Sequence, residues 1–205
     1  MSAGSTKPLV TEIAWAVGPY VAAVAWQVAE SAAIEISLRA LLVCFAGALY
    51  TNLFEHIWHR YAMHSRRPDA RHARHHRIFY GKGFQTTDPA ALSEIVTGWY
   101  IFPVLLLIHY STFWALFGLA LAPAFFLGVL LHFMTYEATH WYTHVAPNGF
   151  DRFLSRIPGL RKLRAMQIHH HRLHHAEPMV NFNVTPPYTG DRLASILRLG
   201  KPRRW

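Results

Sequence analysis

Ten histidines in four tight clusters are the residues best suited to do chemistry here. They are His59 and His64 in HRYAMH, His72, His75 and His76 in HARHH, His140 and His144 in HWYTH, and His171, His174 and His175 in HRLHH. Histidine outnumbers Asp and Glu together, 15 against 11. Neutral imidazole is the commonest protein metal ligand. Residues three or four apart share a helix face, so in each HxxHH the first ring meets both of the last two, and His140 and His144 meet across one turn. His59 and His64 are five apart, which an ideal helix splays: either they reach different metals or the helix unwinds there. Since one metal takes roughly three or four protein ligands, ten imidazoles imply two metal ions. The donor set is all nitrogen and suits Zn, Fe, Cu or Ni without choosing among them.

Ligating imidazoles commonly donate their second N–H to a carboxylate, a carbonyl or a water. Glu137, Asp191, Asn181 and Asn183 are candidates to accept such bonds, with loop capping the plainer role for the asparagines. His56, one turn before His59, and His170, beside the last cluster, are candidate supporting partners. His132, at the end of the fourth apolar stretch, and His169, flanking the last cluster, are further candidates. His109 is set apart, because the topology below puts it on the far side of the membrane.

The elements that must position these rings read as membrane helices. Hydrophobic residues make up 52% of the 205-residue chain and charged residues 15%, where a soluble domain averages about a quarter charged. Apolar stretches run from about Thr11 to Ala29, Ile36 to Phe54, Ile95 to Ile108 and Thr112 to Phe133, and a span needs about 20 residues. The short HYST stretch between the last two predicts a tight hairpin. Seven basic residues lie between Ile57 and Ser93 and eleven after Tyr136, so 18 of the 20 fall on two segments. The positive-inside rule places both in the cytosol with the clusters. A net charge of +9 distributed this way speaks for membrane topology and against nucleic acid. Arg66, Arg67 and Arg71 either meet lipid phosphates or an acidic electron donor, or only set topology; the terminal KPRRW reads as a surface anchor or a frayed end. The single cysteine, Cys44, lies in an apolar run and offers neither a disulfide nor a thiolate site. The expectation is one domain over residues 1–205: an all-α integral membrane bundle of about four transmembrane helices with a cytosolic histidine-rich helical cap.

The stretches Glu55 to His76 (EHIWHRYAMHSRRPDARHARHH) and Met166 to Asn183 (MQIHHHRLHHAEPMVNFN) resemble the histidine boxes of the fatty acid hydroxylase / sterol desaturase superfamily, and the likeness runs from about Leu53 to Asp191. It implies a multi-pass enzyme of the bacterial inner membrane or endoplasmic reticulum. Two iron ions would work there with O₂ and two external electrons to hydroxylate or desaturate a lipid C–H bond; zinc or another metal would be able to replace iron in a purified sample. It also implies a cytochrome b5-like, ferredoxin-like or reductase electron donor. The sequence departs from the family pattern where Asn181-Phe182-Asn183 stands for Asn-Phe-Gly and Gly190-Asp191 for Trp-Asp. HRYAMH and HRLHHA also resemble bacterial-type carotene hydroxylases, so a carotenoid ring is the rival substrate. Trp99, Phe102, Phe126 and Phe133 would line a path for an apolar substrate, or simply pack.

Two readings from other classes compete. A metal transporter would carry ionisable ligands inside its spans, and spans one, three and four contain no interior His, Asp or Glu. An inactive relative would keep metals for stability alone, and the residues do not exclude it.

Overall fold

The computed structural model describes residues 38–65, 70–97, 106–118 and 120–199, with 22 and 104. The first expected span (Ala22 apart), much of the third, Arg66, Arg67, Trp99, Phe102 and the terminal basic stretch lie outside the described residues. Among those described the chain is helical and forms no strand; Thr86 and Val145 make an isolated parallel bridge.

Helix α1, Leu38–Trp58, is rich in Leu and Ala, which favour helix, and its last turn widens into a π-helix at His59–Met63. Together they form the one described helix long and apolar enough to cross a membrane. It covers the second expected span from Leu38 onward. Leu38, Leu41, Leu42 and Phe45 make an exposed apolar row along it. Next come α2 at Ala70–Ile78, a 3₁₀ turn at Gly81–Phe84, and the short α3 at Pro89–Leu92. Helix α3 starts on Asp88, whose side chain caps Ala90 N–H, with Pro89 supplying a helical φ.

The expected HYST hairpin is absent. A π-helix at Leu106–Tyr110 runs directly into α4, Ser111–Phe117. The short gap between two apolar runs predicts a turn, but none of the four residues is Gly or Pro, so nothing stops the helix. It ends at Gly118, whose φ of 76° is the left-handed conformation that glycine adopts freely. Helix α5, Ala122–His144, follows. His109 therefore sits within a helix, buried, with Nδ1 2.9 Å from the Tyr50 hydroxyl.

Three more helices follow among the described residues: α6 at Gly149–Leu154, capped by Asn148; α7 at Pro158–Ala176, opened by Pro158; and α8 at Thr189–Ile196.

The chain divides into two compact units, one of residues 1–51 and 96–135, the other of 52–95 and 136–205. The first has an aromatic core. Phe125, Phe126, Val129 and Leu130 are buried there, with Val43, Tyr110, Phe113, Phe133 and Met134 against them. The rings of Phe113 and Phe125 stack at 3.7 Å. Phe126 and Phe133, candidates for lining a substrate path, belong to this packing. The second unit is built around polar rings: seven of the ten cluster histidines are buried in it.

Candidate metal centre

The ten cluster histidines meet in two groups of five. His59, His64, His72, His76 and His174 form the first; His75, His140, His144, His171 and His175 form the second. In each, one ring nitrogen per residue lies within 4.8 Å of all the others. The helices explain the sorting. On α2, His72 and His76 feed the first group while His75 feeds the second. On α7, His171 and His175 feed the second and His174 the first. The i, i+4 pair of each HxxHH thus stays together, and the residue between turns to the other group. This corrects the expectation that all three rings would meet.

His59 and His64 share the first group because the helix between them is π-wound. The His64 N–H bonds to the His59 carbonyl at 3.1 Å, an i→i+5 link that closes the wide turn. Of the two alternatives for this pair, the chain adopts the second: the helix unwinds locally into a wider π-turn. This makes a test possible. Deleting Ala62 leaves the two rings four apart, the spacing of an ordinary helical turn, and should keep the first group able to bind metal. Inserting an alanine after Tyr61 sets them six apart and should abolish binding there. Metal stoichiometry of the two purified variants distinguishes the outcomes.

Ring-nitrogen distances fit a metal. In the first group Nε2 of His72 lies 3.1 Å from that of His59 and 2.9 Å from that of His64, while His174 Nε2 is 3.2 Å from His64 and His76. In the second, the Nε2 pairs His75–His175, His75–His140, His144–His171 and His171–His175 stand at 3.2, 3.3, 3.0 and 3.1 Å. At a metal–nitrogen distance of about 2.1 Å, ligands at right angles are about 3.0 Å apart and at tetrahedral angles about 3.4 Å. The observed spacings fall in that range.

Tautomers point the same way. Nδ1 of His59 and His174 face the carbonyls of Phe182 and Val180 at 2.5 and 2.8 Å. Nδ1 of His144 and His75 face those of Phe84 and Glu94 at 2.8 and 3.1 Å. A carbonyl only accepts, so in these four rings Nδ1 carries the hydrogen and the Nε2 lone pair faces inward. Two rings in each group thus turn an Nε2 lone pair toward the other nitrogens, an arrangement that could hold a cation.

Electrostatics keep the rings ready for one. Burial and neighbouring imidazoles hold His72, His75, His171, His174 and His175 below the usual histidine range. Burial also lowers His64 to about 4, and burial aided by His64 and His140 lowers His76 to about 3. These rings are neutral at pH 7 and can accept a metal without first losing a proton.

The groups differ in access. The second is buried throughout, whereas His64, His72 and His76 of the first are only partly covered. Phe182 packs on His59, His64 and His174, and Phe84 on His144, His171 and His175.

The supporting candidates sort as follows. Asp191 is buried and accepts from His56 at 2.9 Å and His170 at 3.2 Å, two rings outside both groups. Burial would raise its pKa, but bonds from His170, His56 and Asn183 N–H outweigh that and hold the carboxyl below the usual range. Asn181 donates to the His170 carbonyl at 3.3 Å. Glu137 lies one turn before His140 on α5, partly buried. His109, His132 and His169 lie outside both groups.

The partners that orient His59, His75, His144 and His174 are therefore main-chain carbonyls rather than the acids expected from the sequence. Every residue carries a carbonyl, so the residue pattern could not mark them. Glu55 was also missed as a support. It is buried and bonds to Val184 N–H, Thr185 N–H and the Thr185 hydroxyl. The one available signal was its place as a lone acid in an apolar helix.

Ten imidazoles in two compact groups, with a helical fold, are compatible with a histidine-box family. Comparison with family models, with curated proteins and with solved structures gives no match for this chain.

Proposed function

We propose that the chain is a membrane-bound oxygenase that hydroxylates or desaturates a C–H bond of a lipid, such as a fatty acyl chain or a sterol, with two iron ions, O₂ and two electrons from an external donor. The observation that carries this reading is the convergence of ten imidazoles into two five-nitrogen groups within one small helical unit. His59, His64, His72, His76 and His174 would hold one ion, and His75, His140, His144, His171 and His175 the other. Bound iron would supply the oxidant that an inert C–H bond requires and that no side chain provides.

The chain's own residues do the rest. They present lone pairs at fixed separations. They hold ring orientation through the carbonyls of Phe84, Glu94, Val180 and Phe182, and they cover the second group from water. The exposed apolar row on α1 and the concentration of basic residues beside the clusters support a multi-pass protein with the metals at the cytosolic face, where a lipid chain can arrive from the bilayer.

The test is lipid and carotenoid profiling of cells that express the full chain, with His174→Ala as the control. A hydroxylated or newly unsaturated lipid should form, should require iron, and should vanish in the variant. A modified carotenoid would move the substrate to that class, and no metal-dependent change in any lipid or carotenoid would sink the enzyme reading.

A further inference from the structure

Two buried carboxylates lie outside both imidazole groups and converge on one segment. Residues 180–185 are buried throughout, and Asn181 is held there in a left-handed conformation with φ of 56°. Asp191 accepts the N–H groups of Phe182 and Asn183, each at 2.9 Å, and its own N–H returns a bond of 3.1 Å to the Asn183 side chain. Glu55 accepts the N–H groups of Val184 and Thr185 and, at 2.7 Å, the Thr185 hydroxyl. Four successive backbone N–H groups thus end on two carboxylates. Asn52 donates to the Thr185 carbonyl at 3.0 Å and accepts from Asn183 through its own carbonyl at 2.6 Å.

The same segment faces the other way with its carbonyls. Val180 and Phe182 accept from Nδ1 of His174 and His59. Both rings belong to the first group. The matching carbonyls of the second group come from Phe84 and Glu94, and a different set of bonds holds that segment. Arg71 and Arg74 pair with the Glu94 carboxylate, Gln85 donates to the Thr143 carbonyl, and Thr86 N–H donates to the His144 carbonyl.

We propose that Asp191 and Glu55 are positioning residues that hold the 180–185 segment against His59 and His174, and so set metal affinity at the first group alone. The inference rests on the reading that both groups bind metal. Replacing either acid with its amide puts an NH₂ donor where backbone N–H groups point. The segment then loosens, and the two rings lose their fixed tautomer and direction. Loss of such outer partners typically costs about 10- to 100-fold in metal affinity.

The test uses the purified full chain in detergent with Zn²⁺ as probe, titrated against a competing chelator, and Co²⁺ absorption as a ligand-field signature. Asp191→Asn and Glu55→Gln should each weaken one of two bound ions by about 10- to 100-fold, leave the other at its original affinity, and alter one component of the cobalt spectrum. A merely structural role would move both ions together. Both ions weakened equally, or both unchanged, overturns the proposal. Should Asp191→Asn fail to fold, Glu55→Gln and the milder Thr185→Val, which removes one hydroxyl bond to Glu55, carry the same comparison. Unsubstituted protein that binds no Zn²⁺ or Co²⁺ overturns the two-metal reading itself, and that failure is visible before any variant is made.

Discussion

His174→Ala should strip the metal from the first group and leave the second filled, and His175→Ala should do the reverse. The two residues are neighbours on α7, about 100° apart around the helix, and that rotation divides them. His174 Nε2 is 3.2 Å from the Nε2 atoms of His64 and His76. His175 Nε2 is 3.2 Å from that of His75 and 3.1 Å from that of His171. Both rings are fully buried, so the folding cost of truncation is similar and the difference lies in which ion departs. Losing a ligand outright should exceed the roughly 10- to 100-fold cost of losing an outer partner, so each variant should purify with about half the metal of the parent protein. The proposed lipid-modifying activity should fall to background in both. Double variants identify the vacated position. Adding His64→Ala to His174→Ala should remove no further metal, whereas adding His171→Ala should empty the second group. If His174→Ala and His175→Ala vacate the same position, the division into two groups is wrong.

What could be read from the residues alone divides along physical lines. The ten histidines stood out because spacings of three and four are marked by the helix itself. Their division into two groups did not. At i+3 and i+4 a ring lies on nearly the same face, and which metal it reaches depends on the rings brought opposite by other helices. The five-residue spacing of His59 and His64 announced an irregularity, but HRYAMH contains nothing that distinguishes a π-turn from a break. The HYST stretch shows the reverse error. The brief interruption between two apolar runs predicts a turn, although the residue that ends the helix is Gly118, eight positions after Tyr110. One membrane-length helix, Leu38–Met63, emerges from the hydropathy of the second apolar stretch.

The acids illustrate a deeper limit. Asp191 and Asn181 were legible as polar residues near a histidine cluster, and the expected job was direct support of a ligating ring. The structure gives Asp191 four bonds to groups one step further out. Direct support comes from carbonyls of Val180, Phe182, Phe84 and Glu94. A buried carboxylate so placed stabilises backbone N–H groups that would otherwise go unsatisfied, and the backbone then orients the rings. That arrangement lets Phe182 do two jobs: its carbonyl orients His59 while its side chain packs over the first group.

Gly128→Ala should strongly destabilise the first unit. Gly128 on α5 faces the backbone of α1 so closely that an added Cβ would stand 1.9 Å from the Cys44 carbonyl oxygen and 2.9 Å from the Ala48 nitrogen. The contact is reciprocal: a Cβ on Gly47 would stand 2.2 Å from the Phe125 carbonyl oxygen. Paired small residues allow this backbone-to-backbone approach between helices. The obstructing atoms are main chain, so no rotamer change relieves the clash and the helices must separate. Separation would open the packing of Phe125 and Val129, which flank Gly128, against Val43. Overpacking a core costs about 1–3 kcal/mol where side chains can shift; here the cost should lie at or above about 3 kcal/mol, the top of that range. Alanine is otherwise a better helix former than glycine by about 1 kcal/mol, so helix propensity alone predicts stabilisation. The sign of the change is therefore decisive. Thermal unfolding of the detergent-purified variant, or its yield as monodisperse protein on size exclusion, should show a large loss. An unchanged or raised melting temperature would mean that the two helices do not cross at Gly47 and Gly128.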